Sequence, residues 1–194
     1  MKKQFTLSLL FACFLSIAAT AEIAWKSGYI ILNSGDTIKG EIKINTKKEI
    51  GLYSKVQMKQ GESSKSYKPE QVKEYIVGES RFLSRKFEGE MVFMKVVTSG
   101  RILIFEWQFE MQRGNELVVD SEYYIQINDG SNSEPQKLKP AKFKKLAAEL
   151  MNDHTELVEK IQNDNKKFEL GDVQAYVEEY NSWFMENQAA KGTR

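Results

Sequence analysis

The chain has 194 residues, with 28 basic and 27 acidic side chains, one histidine, one cysteine and a formal charge of +1 at neutral pH. That balance removes the electrostatic case for nucleic acid, which needs basic residues massed against phosphates. A single cysteine excludes an intrachain disulfide and a cysteine metal set, and a single histidine leaves the usual zinc sets incomplete.

Residues 1–21 read as an export signal. Lys2 and Lys3 precede an apolar run from Phe5 to Ala18, and Ala19-Thr20-Ala21 supplies the small residues that signal peptidase requires. The uninterrupted run is shorter than the roughly 20 residues needed to span a bilayer core. The expected mature chain therefore starts at Glu22, in the periplasm or against the outer membrane. Leu10-Phe11-Ala12-Cys13 resembles a lipidation box in part. Phe11 is bulky where a small residue belongs, and the run continues through Phe14, Leu15 and Ile17, so Cys13 reads as a member of the apolar region. Removing Lys2 and Lys3 leaves 26 basic against 27 acidic residues, a formal charge of 26 − 27 = −1. Processing also removes Cys13, which leaves the exported chain without a thiol.

Residues 22–135 carry the punctuation of an antiparallel β domain. Gly28 to Leu32, a turn at Asn33-Ser34-Gly35-Asp36, and the period-two strand Thr37 to Ile44 predict a hairpin. In that turn Asp36 serves backbone geometry rather than chemistry. Lys55 to Lys59 is expected to pair with Ser66 and Tyr67 across Gln60 to Ser64, and Val72 to Val77 and Arg81 to Ser84 are further short strands. Met91 to Thr98 and Arg101 to Met111 flank Ser99-Gly100, which reads as a two-residue hairpin connection. In the second strand Phe105, Trp107, Phe109 and Met111 alternate with Glu106, Gln108 and Glu110, the pattern of a sheet with one dry and one wet side. The aromatic row could stack on sugars or bases, but burial in a core is the commoner fate of aromatics at strand spacing. Glu116 to Asn128 is the last strand.

The period then changes. From Pro140, which suits a first helical turn, Phe143, Leu146, Ala147, Leu150 and Met151 recur at helical spacing, and Leu157, Val158 and Ile161 continue the stripe. A final helix from about Asp172 aligns Val173, Tyr176, Val177, Tyr180 and Phe184. Residues 136–188 are thus short amphipathic helices that must pack on the sheet or on each other, and residues 189–194 are expected to fray.

No constellation reaches a catalytic or cofactor motif. His154 lies in Asp153-His154-Thr155-Glu156, where neighbouring residues cannot face one point; Asp153 with Glu156 fits a capping pair at a helix start. Glu88 with Glu90, or Glu106 with Glu110, could in principle serve acid and base in glycoside hydrolysis, yet nothing in the sequence sets their pKa values apart. Catalytic, cofactor-binding and metal residues are all expected to be absent, and no cofactor is expected. A small membrane barrel is disfavoured by charges on both faces of segments such as Lys65 to Lys73.

The stretch Gly28-Tyr29-Ile30-Ile31-Leu32-Asn33-Ser34-Gly35-Asp36-Thr37-Ile38-Lys39-Gly40 resembles a segment of a family of exported Bacteroidetes proteins, in which a Gly-Tyr strand leads to a Gly-Asp-Thr turn and a following Gly. Tyr67-Lys68-Pro69-Glu70-Gln71-Val72, the Met91 to Val97 and Gly100 to Ile104 segments, and the helices ending near Tyr180-Asn181 are similar as well. The resemblance implies an envelope location and a β-rich domain. It carries no catalytic or binding residues to transfer.

The expected fold is α+β: an antiparallel sheet or partly open barrel of about seven to nine strands, followed by two or three short C-terminal helices. The expected function is non-enzymatic binding or scaffolding at the cell envelope, with an envelope protein, glycan or lipid as partner. The alternative is a hydrolase of envelope polymers using paired carboxylates.

Overall fold

The computed structural model describes residues 23–192 apart from Lys47 and Asn132. The expected export signal and Cys13 lie outside the described residues. Ten strands form one antiparallel sheet: β1 (Ile23–Leu32), β2 (Thr37–Asn45), β3 (Val56–Gln60), β4 (Ser63–Tyr67), β5 (Val72–Val77), β6 (Ser80–Phe87), β7 (Glu90–Thr98), β8 (Ile102–Arg113), β9 (Glu116–Ile127) and β10 (Gln136–Lys137). Their order is β10-β9-β8-β7-β6-β5-β1-β2-β3-β4. A 3-10 helix, Glu49–Tyr53, links β2 to β3, and α1 (Phe143–Leu150), α2 (Thr155–Asn163) and α3 (Leu170–Gly192) follow the sheet. The architecture is the expected α+β with C-terminal helices. The strand count exceeds the expected range because β10 has only two residues, too few to show a period.

Several boundaries differ from the expectation. The β3–β4 turn is two residues long, since Gln60 pairs with Ser63. The β7–β8 connection is longer than expected: Val96 pairs with Phe105 but Thr98 with Ile104, so a bulge sits at the turn. Helix α3 runs 23 residues to Gly192, through positions 189–192 that were expected to fray.

The sheet coils in two opposite senses. Between β4 and β5 lie four strand spacings, about 19 Å in a flat sheet. The Gln71 N–H bonds to the Lys68 carbonyl at 3.0 Å, folding this connection into a turn whose ends lie within about 7 Å. Strands β1–β5 must therefore curl round one face, here face A. Inside the curl Ile30, Ile42, Val56, Met58, Val72, Tyr75 and Phe93 are buried together, capped by Leu52 and Tyr53 of the 3-10 helix. Gly28 and Gly40 stand opposite each other on β1 and β2. A Cβ on Gly28 would lie 2.2 Å from the Ile76 carbonyl oxygen, and one on Gly40 2.4 Å from that of Lys59. The two glycines of the sequence motif thus permit the tight curl.

Strands β6–β9 bend toward the other face, face B. Strand β7 pairs with β8 only from Lys95 to Thr98. In a flat sheet Arg85 on β6 and Gln126 on β9 would lie about 14 Å apart sideways and about 20 Å apart along the strands. Their side chains nevertheless hydrogen-bond at 2.8 Å, and the Phe87 ring meets that of Tyr124 at 4.8 Å. Beyond Lys95 the β6–β7 hairpin therefore leaves β8 and folds across face B, burying Leu83, Met94, Leu103, Phe105 and Tyr124.

The helices cover face A at the other end of β8 and β9, where Ile102, Ile104 and Ile125 meet Phe143, Ala147, Leu157, Ile161, Val177 and Tyr180. Consequently Ile102, Leu103, Ile104 and Phe105 are all 2% exposed or less. Strand β8 has no wet side there. From Glu106 to Phe109 all four residues are half-buried, so the expected wet and dry alternation is absent there too.

Candidate functional site

The positions weighed from the sequence fall at a helix cap, in tight turns and along β8. His154 is the N-cap residue of α2, and its ring stacks on Trp183 at 4.2 Å. Asp153 is not the cap; it accepts the Tyr180 hydroxyl at 2.8 Å. Glu88 and Glu90 flank Gly89 in the β6–β7 turn, and Glu88 itself has φ of 50°. Ser34 donates to Asp36 at 2.7 Å within the β1–β2 turn. Of the aromatic row, Phe105 is fully buried, while Trp107 and Phe109 stack on each other at 5.2 Å on the half-buried ribbon beyond it.

Glu106 is engaged on both oxygens. It accepts from Ser121 at 3.0 Å, from Gln108 at 3.2 Å and weakly from Tyr53 at 3.4 Å. Burial, then the neighbouring Glu106 and Glu49 carboxylates, hold the Tyr53 phenol well above its ordinary pKa. Tyr53 therefore stays a neutral donor. Glu110, two pleat repeats further along β8, faces Lys48 at 4.0 Å.

What the fold does assemble is a basic pocket. Where the β6–β7 hairpin crosses face B, it meets the end of β9 and the loop after it, enclosing a pocket of about 790 Å³. Its charged lining is Lys73 from β5 with Arg85 and Lys86 from β6. Gln126, Asn128, Ser131 and Ser133 supply amides and hydroxyls from β9 and its loop. Among the described residues no acidic side chain lines it.

Arg85 is held in place by neutral partners. Its Nε donates to Gln126 Oε1 at 2.8 Å, its Nη1 donates to the Ser84 carbonyl at 2.9 Å, and its guanidinium lies 5.3 Å over the Phe105 ring. Gln126, only 7% exposed, passes the connection on by donating to the Ser133 carbonyl. The carboxylate whose charge acts on Arg85 is Glu74, but Glu74 is already paired with Arg81 at 2.5 Å. Burial, with Arg81 second, lowers the Arg85 pKa from its usual value. That value is so high that the group remains a cation. Ser84 is buried and donates to the Pro69 carbonyl at 2.6 Å, which fixes the base of the hairpin. Lys86 pairs with Glu134 at 3.8 Å, a residue outside the pocket lining.

A half-buried guanidinium is costly unless it is paired. Here its position is preset by Gln126, Ser84 and Phe105, while among the described residues no carboxylate pairs with it. Such an arrangement offers charge-assisted hydrogen bonds to an anionic group, with neutral donors and acceptors a few residues away for the rest of a polar ligand. Sequence reading missed this site, since Lys73, Arg85, Gln126 and Ser133 are isolated along the chain and meet only because the hairpin folds back. The one local signal is an arginine on the apolar side of a strand, between Leu83 and Phe87.

No protein-family model matches the chain, and no curated protein or solved structure matches it either.

Proposed function

We propose that this protein is an exported, non-enzymatic binding protein of the cell envelope, whose Arg85 pocket holds a carboxylate-bearing glycan. The observation that carries the proposal is the preset Arg85 guanidinium, flanked by Lys73 and Lys86 and held by neutral partners. A pocket of about 790 Å³ falls within the roughly 300–1,000 Å³ of small-molecule sites. Its hydroxyl and amide lining suits the hydroxyls of a sugar. The export-signal pattern of residues 1–21 supports the location. The hydrolase reading has no comparable support, because Glu106 is committed to three donors and the pocket is lined by cations.

Two measurements test this. Intact-mass analysis of the protein recovered from an envelope extract should give a chain beginning at Glu22; a cytoplasmic chain retaining residues 1–21 refutes the location. Calorimetric titration with trigalacturonate should show saturable binding, and maltotriose, which lacks the carboxylates, should bind at least tenfold more weakly. Arg85→Gln removes charge-assisted bonds worth ~1.5–3 kcal/mol, and so should weaken trigalacturonate by at least tenfold. Lys73→Gln, on an exposed side chain, should weaken it with no loss of folding. Equal affinity for the neutral sugar, or no effect of either variant, refutes the proposal.

A further inference from the structure

The curled half of the sheet has a slot in its wall. Strands β2 and β3 pair only at Glu41 with Lys59 and Ile42 with Met58. Beyond that point they part, and a pocket of about 260 Å³ opens between Lys43, Ile44 and Asn45 on one side and Gly51, Leu52, Lys55 and Gln57 on the other. Its floor is apolar and continuous with the core, since Leu52 is a core residue and Ile44 packs against the same cluster. Ile23, 56% exposed, stands at its mouth. The rim is cationic: Lys43, Lys48 and Lys55 line the opening, and among the described residues no acidic side chain does. Lys48 reaches Glu110 only at 4.0 Å.

We propose that this slot binds a single-chain carboxylate amphiphile, with the alkyl tail against Ile44 and Leu52 and the carboxylate among the three lysines. An apolar floor beneath a rim of one charge selects a ligand that is apolar at one end and anionic at the other. The volume lies just under the usual range of ligand pockets. It accommodates one short chain and excludes a two-chain phospholipid. The slot shares no lining residue with the Arg85 pocket, so the inference is independent of the glycan proposal.

The test uses the chain from Glu22 and three probes with the same tail below their aggregation concentrations: decanoate, decanol and decyltrimethylammonium. Decanoate should bind saturably and at least tenfold more tightly than either of the others. The double variant K43Q/K55Q should weaken decanoate by at least tenfold and leave decanol unchanged. Gly51→Leu, at a position where an added Cβ meets no atom within 4 Å, should block both probes without unfolding the chain. Arg85→Gln should leave decanoate affinity unchanged, which separates this site from the glycan pocket. Equal affinity for the three probes, binding that survives both slot variants, or binding that is lost in Arg85→Gln overturns the proposal.

Discussion

Asn181 on α3 is the clamp that holds the helices to the sheet, and its removal offers the sharpest test of the packing described above. The side chain is 8% exposed. Its Oδ1 accepts the Ile102 N–H at 2.8 Å, and its Nδ2 donates to the Ile102 carbonyl at 2.9 Å and to the Ser99 carbonyl at 3.2 Å. One amide thus satisfies both backbone groups of the first residue of β8. Asn181→Ala strands the Ile102 N–H and C=O in a buried position, and each unsatisfied group costs ~1–3 kcal/mol. The expected loss is about 2–6 kcal/mol, a large share of a domain's stability. Urea unfolding followed by tryptophan fluorescence should show it as a midpoint lowered by roughly 1–3 M for an m-value of about 2 kcal/mol/M. Gly100 supplies the second arm of the test. Its φ is 149°, and a Cβ there would sit 2.4 Å from Asn181 Cγ. Gly100→Ala should therefore destabilise the wild-type background, and less so the Asn181→Ala background, with a coupling of about 0.5–3 kcal/mol. A loss below about 0.5 kcal/mol for Asn181→Ala, or strict additivity with Gly100→Ala, refutes the clamp.

The β6–β7 turn places Glu88 at φ of 50°, a region that asparagine tolerates better and that the preferred Asn-Gly hairpin turn requires. Glu88→Asn should raise stability by about 0.5–1 kcal/mol in the same urea assay; a loss would show that the Glu88 side chain has a role of its own. Acid should loosen the junction of α2 and α3 first. The Lys166 backbone N–H and then the Tyr176 hydroxyl hold Asp164 below the usual carboxylate pKa, and the Lys166 ammonium and then the Glu169 N–H do the same for Asp172. Depressed carboxylates stabilise above their unfolded value of about 3.9 and lose that contribution as pH falls through the folded one. Lys166 is raised, so its contribution persists until pH climbs past the ordinary lysine range. Amide exchange at residues 164–173, corrected for intrinsic rates, should accelerate below about pH 4 before the sheet opens; uniform protection down to pH 3 contradicts it.

Local patterns revealed the strands and helices well. The Asn33-Ser34-Gly35-Asp36 turn, the period of two through Ile38, Ile42 and Ile44, and the helical stripe from Phe143 to Ile161 all became the elements they suggested. Burial was read less well, because alternation assumes a sheet with one covered face. The run Ile102-Leu103-Ile104-Phe105 carried the correcting signal, as four consecutive apolar residues mark a strand buried on both sides. The two-residue β10 has no pattern to read. Nor does Asn181, a single polar residue whose role depends on a turn 79 residues away. Arg85 and Gln126 were illegible as a pair for the same reason: their contact follows from the folding back of a hairpin, which no local period encodes.

Phe82 and Leu83 are consecutive on β6, and Phe93 and Met94 on β7, yet the first of each pair belongs to the core inside the curl and the second to the core on the opposite face. Two interiors therefore share the same two strands, as rooms share a wall. A cut at any point between them leaves each part with an open side, so neither half can be excised as a module or exchanged with another protein. Selection acts on the pair together: a substitution that shifts β6 or β7 to suit one interior displaces the lining of the other.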